Sequence, residues 1–274
     1  MVNLKVFHNT YYKYSEEVFL DTHHFYFYPS PRPNVRVLNF SIEIDPSPSG
    51  LTQRLDQENN FYHQSWFLGM HENLTIKTEL EVEISESNPF SFLIEDKPKT
   101  SFVQPLDCYL ATSYQMSSEL SQWSKTIRAN AGEGPIDYLS ALCQKIADEW
   151  NHESRYEFDL MTPEKCFNDR MGSCRDLSWM MIQILRHEGF PARFVSGYSF
   201  NPDLGEGHEL HAWVEVWLNG GGWVALDPSA GIFCNENYLP ISSSYHPFNT
   251  LPVLGAFRGD AISRLDTAVE IQKL

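Results

Sequence analysis

Residues 172–191 describe one helix together with both of its ends. Gly172-Ser173-Cys174-Arg175-Asp176 opens it. Ser173 followed three residues later by Asp176 has the capping-box form, which predicts Ser173 as the N-cap and puts Cys174 in the first turn. Leu177, Met180, Met181, Ile184 and Leu185 then recur at i, i+3, i+4, i+7 and i+8, the apolar stripe of an amphipathic helix. Gly189 and Pro191 stop it in the expected order. A cysteine at such a start meets unpaired backbone N–H groups and the positive end of the helix dipole, and both favour the thiolate. The dipole supplies only about 0.3–1 kcal/mol, whereas each pKa unit corresponds to about 1.4 kcal/mol. A thiolate at neutral pH therefore needs a cationic partner.

The run Leu210-His211-Ala212-Trp213-Val214-Glu215-Val216-Trp217-Leu218 alternates as a strand. Leu210, Ala212, Val214, Val216 and Leu218 share one face; His211, Trp213, Glu215 and Trp217 share the other. Asn219-Gly220-Gly221-Gly222 turns the chain, and Trp223 to Asp227 returns as the next strand until Pro228. No Lys-Ser/Thr or helix follows the glycines, so they form a hairpin turn and not a phosphate loop. Register decides what this hairpin can do. If Leu218 pairs with Trp223, Asp227 falls opposite Val214 on the aliphatic side. With a three- or five-residue loop, Asp227 opposes Trp213 and sits diagonally from His211 on the same face, at a Cβ separation of roughly 7 Å. Odd, glycine-bulged loops are common hairpin connections, and the odd loop is the reading adopted.

These residues resemble the bacterial transglutaminase-like superfamily, a branch of the papain-like cysteine enzymes. The resemblance rests on Gly172 to Asp176, Pro191 to Tyr198, His211 to Glu215 and Trp223 to Ser229, and covers roughly residues 160–235. A weaker similarity links Tyr11 to Ser15 and Phe40 to Pro46 with the β region that precedes this core in bacterial members. The resemblance implies a triad of Cys174 as nucleophile, His211 as general base and Asp227 as its orienter. It also implies attack on an amide carbonyl through an acyl-enzyme, with transfer to water or an amine. The backbone N–H of Cys174 is a natural oxyanion donor; the sequence does not identify a second one. Where the family often has Asp-Pro-Thr, this chain has Asp227-Pro228-Ser229, and Asp56 to Asn60 departs from the family's usual Gly-Asn turn. Arg175 and Trp213 are candidate substrate contacts, although core packing explains Trp213 about as well and capping explains Asp176.

The rest of the chain divides in two. Residues 1–100 read as an all-β sandwich or barrel-like domain. Leu74 to Ile84 alternates strictly, and Val35 to Ile44 repeats the pattern with Leu38, Phe40, Ile42 and Ile44 inward. Residues 101–274 read as the transglutaminase-like catalytic domain, giving an α+β chain whose nucleophile-bearing helix packs on an antiparallel sheet. Pro135 begins a helix with its apolar stripe running from Ile136 to Trp150. Pro240, Pro247 and Pro252 suggest that the last forty residues form an extended tail over one domain.

Composition narrows the partners. A formal net charge of −16 repels phosphate backbones and anionic lipid heads, which weighs against nucleic-acid and membrane-surface roles. Five dispersed cysteines, Cys108, Cys143, Cys166, Cys174 and Cys234, contain no C-x-x-C and argue against a disulfide scaffold or structural zinc. With no apolar leader at Met1 to Val6, a cytoplasmic protein with reduced thiols is expected. His208 and His211, three apart on a loop and strand, do not converge as metal ligands would on a helix, and no cofactor or metal is implied. The expected activity is thiol-dependent amide hydrolysis, as a protease or amidase acting on peptides or proteins, in preference to cross-linking. The alternative is the same fold, catalytically unused, serving as a protein-binding or assembly module.

Overall fold

The computed structural model describes residues 1–95, 106–155, 159–201 and 208–274. The first region consists of β1 (Val2–Leu20), β2 (His23–Phe25), β3 (Val35–Asp45), β4 (Gly50–Leu55), β5 (Phe61–Trp66) and β6 (His71–Ile84). β6 lies antiparallel between β1 and β3, and β5 lies antiparallel between β2 and β4. Period-two patterning makes these strands: on β6 the side chains of Leu74, Ile76, Leu80, Val82 and Ile84 are buried, and Lys77 on the other face is exposed. β3 departs from expectation at one residue. Phe40, Ile42 and Ile44 turn inward, but Leu38 is 47% exposed. The pairing with β6 slips between Val37 and Asn39, and the extra residue of this bulge flips Leu38 to the wet face.

The second region begins with α1 (Asp107–Leu110), α2 (Ser118–Asn130) and α3 (Pro135–Glu149), then β7 (Asn151–His152), α4 (Pro163–Asp169) and β8 (Met171–Gly172). α5 (Cys174–His187) follows, then β9 (Ala192–Ser199), β10 (Leu210–Leu218), β11 (Gly222–Asp227), β12 (Ile232–Phe233) and β13 (Tyr238–Ser244). These last five strands form one antiparallel sheet in the order β12-β11-β10-β9-β13. The aliphatic face of β10, with Ala212, Val214, Val216 and Leu218, packs on Leu177, Met180, Met181 and Ile184 of α5. Burial of that many aliphatic side chains, at roughly 1.5–3 kcal/mol each, is what fixes α5 against the sheet. Gly197 on β9 permits a close approach, since a Cβ there would lie 2.3 Å from the Leu239 carbonyl oxygen and 2.6 Å from the Trp213 ring.

The chain then makes a 3-10 turn at Pro247–Thr250 and continues as β14 (Val253–Leu254), β15 (Phe257–Arg258) and β16 (Ser263–Lys273). These extended strands join the sheets of the first region. β14 pairs with β2, and both β15 and β16 pair with β1, β16 along eleven residue pairs from Leu4–Lys273 to Tyr14–Ser263. The expected second region thus returns its end to the sheets of the first. Between the two regions Val2, Leu4, Leu80 and Val82 pack with Tyr198, Leu239 and Ile241. Arg32 donates to Glu215 Oε1 at 2.8 Å, while Arg193 Nε reaches Glu215 Oε2 at 2.7 Å. Glu215, on the non-aliphatic face of β10, is thereby tied to the β region. The chain is α+β, a helix bearing Cys174 packed on an antiparallel sheet and preceded by a β region.

Candidate active site

Cys174 is the first residue of α5, with Ser173 in extended conformation as its N-cap. Asp176 closes the capping box by accepting from Ser173 N at 2.9 Å and Ser173 Oγ at 2.7 Å. It also accepts from Met161 N at 2.8 Å and pairs with Arg155 at 2.9 Å. A fully buried carboxylate is tolerable only with such complete satisfaction. It locks the helix start and with it the position of the Cys174 sulfur.

The hairpin has the three-residue loop: Leu218 pairs with Gly222 and Val214 with Leu226. Asp227 consequently lies on the His211 side, and His211 Nε2 donates to Asp227 Oδ2 at 2.7 Å. His211 and Cys174 act on each other electrostatically, each favouring the other's charged form. Asp227, 1% exposed, is held by three further donors. Ser229 N and Oγ reach Oδ1 at 2.9 and 2.6 Å, and the Tyr238 hydroxyl reaches Oδ2 at 2.8 Å. Trp213 packs edge-on against Tyr238, with ring centroids 5.4 Å apart.

These contacts set the charges. Burial opposes a thiolate at Cys174, but hydrogen bonds from His152 and His211, the His211 charge and the Ala212 backbone N–H outweigh it, and the thiol pKa lies well below its ordinary value. Burial likewise opposes an imidazolium at His211, yet Asp227 and the thiolate hold its pKa well above the usual histidine range. Asp227 is also buried, and His211, Ser229 and Tyr238 keep it ionised below the ordinary carboxylate range. These shifts favour a thiolate at Cys174 and an imidazolium at His211, with the Asp227 carboxylate behind it. The other four cysteines behave oppositely: burial pushes the thiols of Cys108, Cys143 and Cys234 up, and that of Cys166 to about 12.

The structure thus brings Cys174, His211 and Asp227 together. Arg175 lies beside them, donating to the Arg155 carbonyl at 3.1 Å. It lines a small, mostly apolar cavity of about 60 Å³ with Phe194, Leu210, His211, Phe248 and Leu251. Trp213, expected as a possible substrate contact, is instead 1% exposed; register aims it under Tyr238 and His211, where it serves packing. His208 is buried against Phe200, and among the described residues no group of three metal-ligating side chains converges. Two residues escaped sequence reasoning. Tyr238 lies on a strand with no signal tying it to Asp227. His152 sits on β7, whose two residues are too few for any periodicity.

Residues 121–228 match the family described as the transglutaminase-like superfamily, and residues 4–83 match the bacterial transglutaminase-like N-terminal region. An uncharacterized protein of Mycobacterium leprae is 32% identical over 109 residues, 38% of this chain and 38% of that protein. A protein-glutamine gamma-glutamyltransferase of Pseudomonas aeruginosa is 33% identical over 104 residues, 32% of this chain but 15% of that protein. The chain therefore spans well under two thirds of either relative. The crystal structure of a "putative cysteine protease" from Cytophaga hutchinsonii superposes with a TM-score of 0.76 at 17% identity, covering 100% of this chain and 91% of that one. At that identity the likeness is one of fold.

Proposed function

Starting from a chain whose residues 121–228 match the transglutaminase-like superfamily and whose residues 4–83 match the bacterial transglutaminase-like N-terminal region, we propose that it is a thiol-dependent amide hydrolase acting on peptides or proteins. Cys174 serves as nucleophile, His211 as acid and base, and Asp227 as the group that orients His211. One observation carries this reading: a single cysteine of five has a depressed pKa, and it faces an imidazole held 2.7 Å from a buried carboxylate.

The chemistry follows from the charges. The Cys174 thiolate attacks the amide carbonyl carbon, a C–S bond forms, and the carbonyl π pair moves to oxygen. When that pair returns, the C–N bond breaks, and the amine leaves with the proton that His211 Nδ1 carried toward the sulfur. Neutral His211 then removes a proton from water, and hydroxide displaces the thiolate from the thioester. Asp227 stays ionised throughout, and its four donors keep it from turning away. Water is favoured over an amine as acceptor because Cys174 is half-buried and not fully enclosed, with the exposed His152 paired to Gly172 of β8 just before α5. The apolar cavity beside His211 suits a small aliphatic side chain of the substrate.

A panel of peptide amides and p-nitroanilides with Ala, Val, Gln and Lys before the scissile bond tests the reading. Turnover by the wild type, lost on Cys174→Ser by roughly 10⁴-fold or more, is the expected result. Transfer to an added primary amine faster than to water would replace hydrolysis with cross-linking. The absence of both, with an unreactive Cys174, would overturn the assignment.

A further inference from the structure

The small cavity beside His211 is lined from two sources. Part of the lining is the sheet behind α5: Phe194 and Ser196 of β9, Leu210 and Ala212 of β10. The rest comes from the turn at residues 247–252, where Phe248 and Leu251 border the same space. Arg175, the residue after the nucleophile, and His211 complete it.

That turn is tied down at both ends. On the β13 side, Ser242 Oγ donates to the Thr250 carbonyl at 3.0 Å, and Asn249 Nδ2 donates to Ser244 Oγ at 3.0 Å. Thr250 Oγ1 closes the turn by donating to the Pro247 carbonyl at 2.8 Å. On the β-region side, Tyr26 N donates to the Pro252 carbonyl at 2.8 Å, and Val253 and Leu254 pair with Phe25 and His24 of β2. Phe248 stacks on His246 with ring centroids 5.7 Å apart, and His246 packs edge-on against the buried Trp179. A wall held in this way gives the space beside it a set size.

That size is small. The cavity holds about 60 Å³, the liquid volume of about two water molecules. Among the described residues, Arg175 and His211 are its only titratable lining groups, and the Thr250 hydroxyl is already spent on Pro247. Such a space takes a methyl or isopropyl group. A ring or a long chain enters only by displacing Phe248 or Leu251, and a charged one would lose its water without gaining a partner.

The chemistry says which side chain of the substrate comes here. The carbonyl carbon under attack bonds to the Cys174 sulfur and stays there as the thioester, whereas the amine departs. The side chain one carbon from that carbonyl therefore remains close to Cys174 through both steps. A cavity bordered by Arg175 and His211 acts on it in acylation and again in deacylation.

We propose that the turn at residues 247–252 is the specificity wall of the site, and that Phe248 and Leu251 restrict the residue before the scissile bond to a small aliphatic one, alanine or valine. The proposal rests on the amide-hydrolase reading above and names its substrate class.

The experiment measures kcat/KM for N-acetylated peptide p-nitroanilides with alanine, valine, leucine or phenylalanine before the scissile bond. The wild type is compared with Leu251→Ala and Phe248→Ala. Alkylation of Cys174 by iodoacetamide, which brings no side chain to the cavity, reports an intact site. The wild type is expected to favour alanine and valine over phenylalanine by about tenfold or more, since one methylene in an apolar pocket is worth roughly 10–200-fold. Leu251→Ala should raise the leucine and phenylalanine substrates relative to alanine by about tenfold or more, with alkylation unchanged. Phe248 is 42% exposed, so Phe248→Ala keeps the core and relaxes the selectivity even where Leu251→Ala is unstable. A wild type that is indifferent to this residue or prefers phenylalanine overturns the proposal and leaves the hydrolase reading intact. So does a preference that neither variant changes. If Cys174 is alkylated readily but neither these anilides nor the matching p-nitrophenyl esters acylate it, the hydrolase reading falls and the specificity wall with it.

Discussion

The two arms that reach Cys174 are built on opposite terms. The hairpin arm carries His211 and Asp227 on strands whose other faces are buried in the core, and every oxygen of Asp227 is hydrogen-bonded. The β7–β8 arm carries His152 on a two-residue strand, exposed, its pKa raised by the neighbouring Cys174. A group that must hold one orientation through a proton transfer needs the first kind of support. His152, exposed on a two-residue strand, is not held in that way. The contrast teaches that burial and satisfaction around a catalytic group report what it has to do and not only how firmly it is held.

His211→Ala should separate the arms most sharply. Loss of this imidazolium takes away the larger cationic support of the thiolate, so the Cys174 pKa rises toward the free-thiol value of about 8.5. With a wild-type midpoint of about 6, the thiolate fraction at that pH would drop roughly 150-fold. Iodoacetamide alkylation mapped to the Cys174 peptide across pH 5–9 reads this directly, and amide turnover should fall by 10³-fold or more alongside. His152→Ala should also raise the alkylation midpoint, but by less, because of the two only His211 adds its charge to a hydrogen bond. Equal shifts in the two variants would break the distinction between the arms.

Asp227→Asn comes next. The amide retains an acceptor for His211 but not the charge that favours its imidazolium, and turnover should drop by about 10²–10³-fold. It also alters acid stability. The folded Asp227 carboxyl titrates below its unfolded value of about 3.9. The stability it contributes is complete above that pH and is lost as the pH falls through the folded value. The variant should therefore lose thermal stability at pH 7 and show a flatter melting temperature between pH 5 and pH 3. Wild-type turnover in Asp227→Asn would mean that the carboxylate serves stability alone.

The same contrast explains what the sequence could disclose. The capped helix start, the stripe of α5 and the alternation of β10 are local patterns, and Cys174 and His211 sit directly on them. The hairpin register was accessible because Gly220 and Gly222 both take positive φ, 88° and 68°, which an odd loop uses and few other residues tolerate. His152 follows the last turn of α3 without a pattern of its own, and only the parallel pairing with β8, across twenty residues, brings it close to Cys174. The C-terminal strands were hidden for the same reason. Nothing in Ser263–Lys273 alone states that β1, more than two hundred residues earlier, is its partner. Leu38 was lost to a bulge that alternation cannot register. Patterns of period two or 3.6 show which face is buried, but not which distant segment buries it.

Tyr238→Phe should give the smallest effect and the finest comparison. The phenol donates one of four hydrogen bonds to Asp227, at 2.8 Å to the same oxygen that His211 uses. Burial and the neighbouring Asp227 charge push its own pKa far up, so it remains a neutral donor at every working pH. Removal leaves the ring packed on Trp213 but takes one donor from a buried carboxylate, a loss of about 1.5–3 kcal/mol for a bond to a charged group. Because Asp227 keeps Ser229 and His211, the lower end is expected in thermal unfolding. A fall of only a few-fold in turnover should accompany it. If the hairpin arm is as over-determined as its contacts indicate, the alkylation midpoint of Cys174 will stay within about half a pH unit of wild type. A larger shift would show that Asp227 depends on Tyr238 for its aim, and that the buried arm hangs on a single contact.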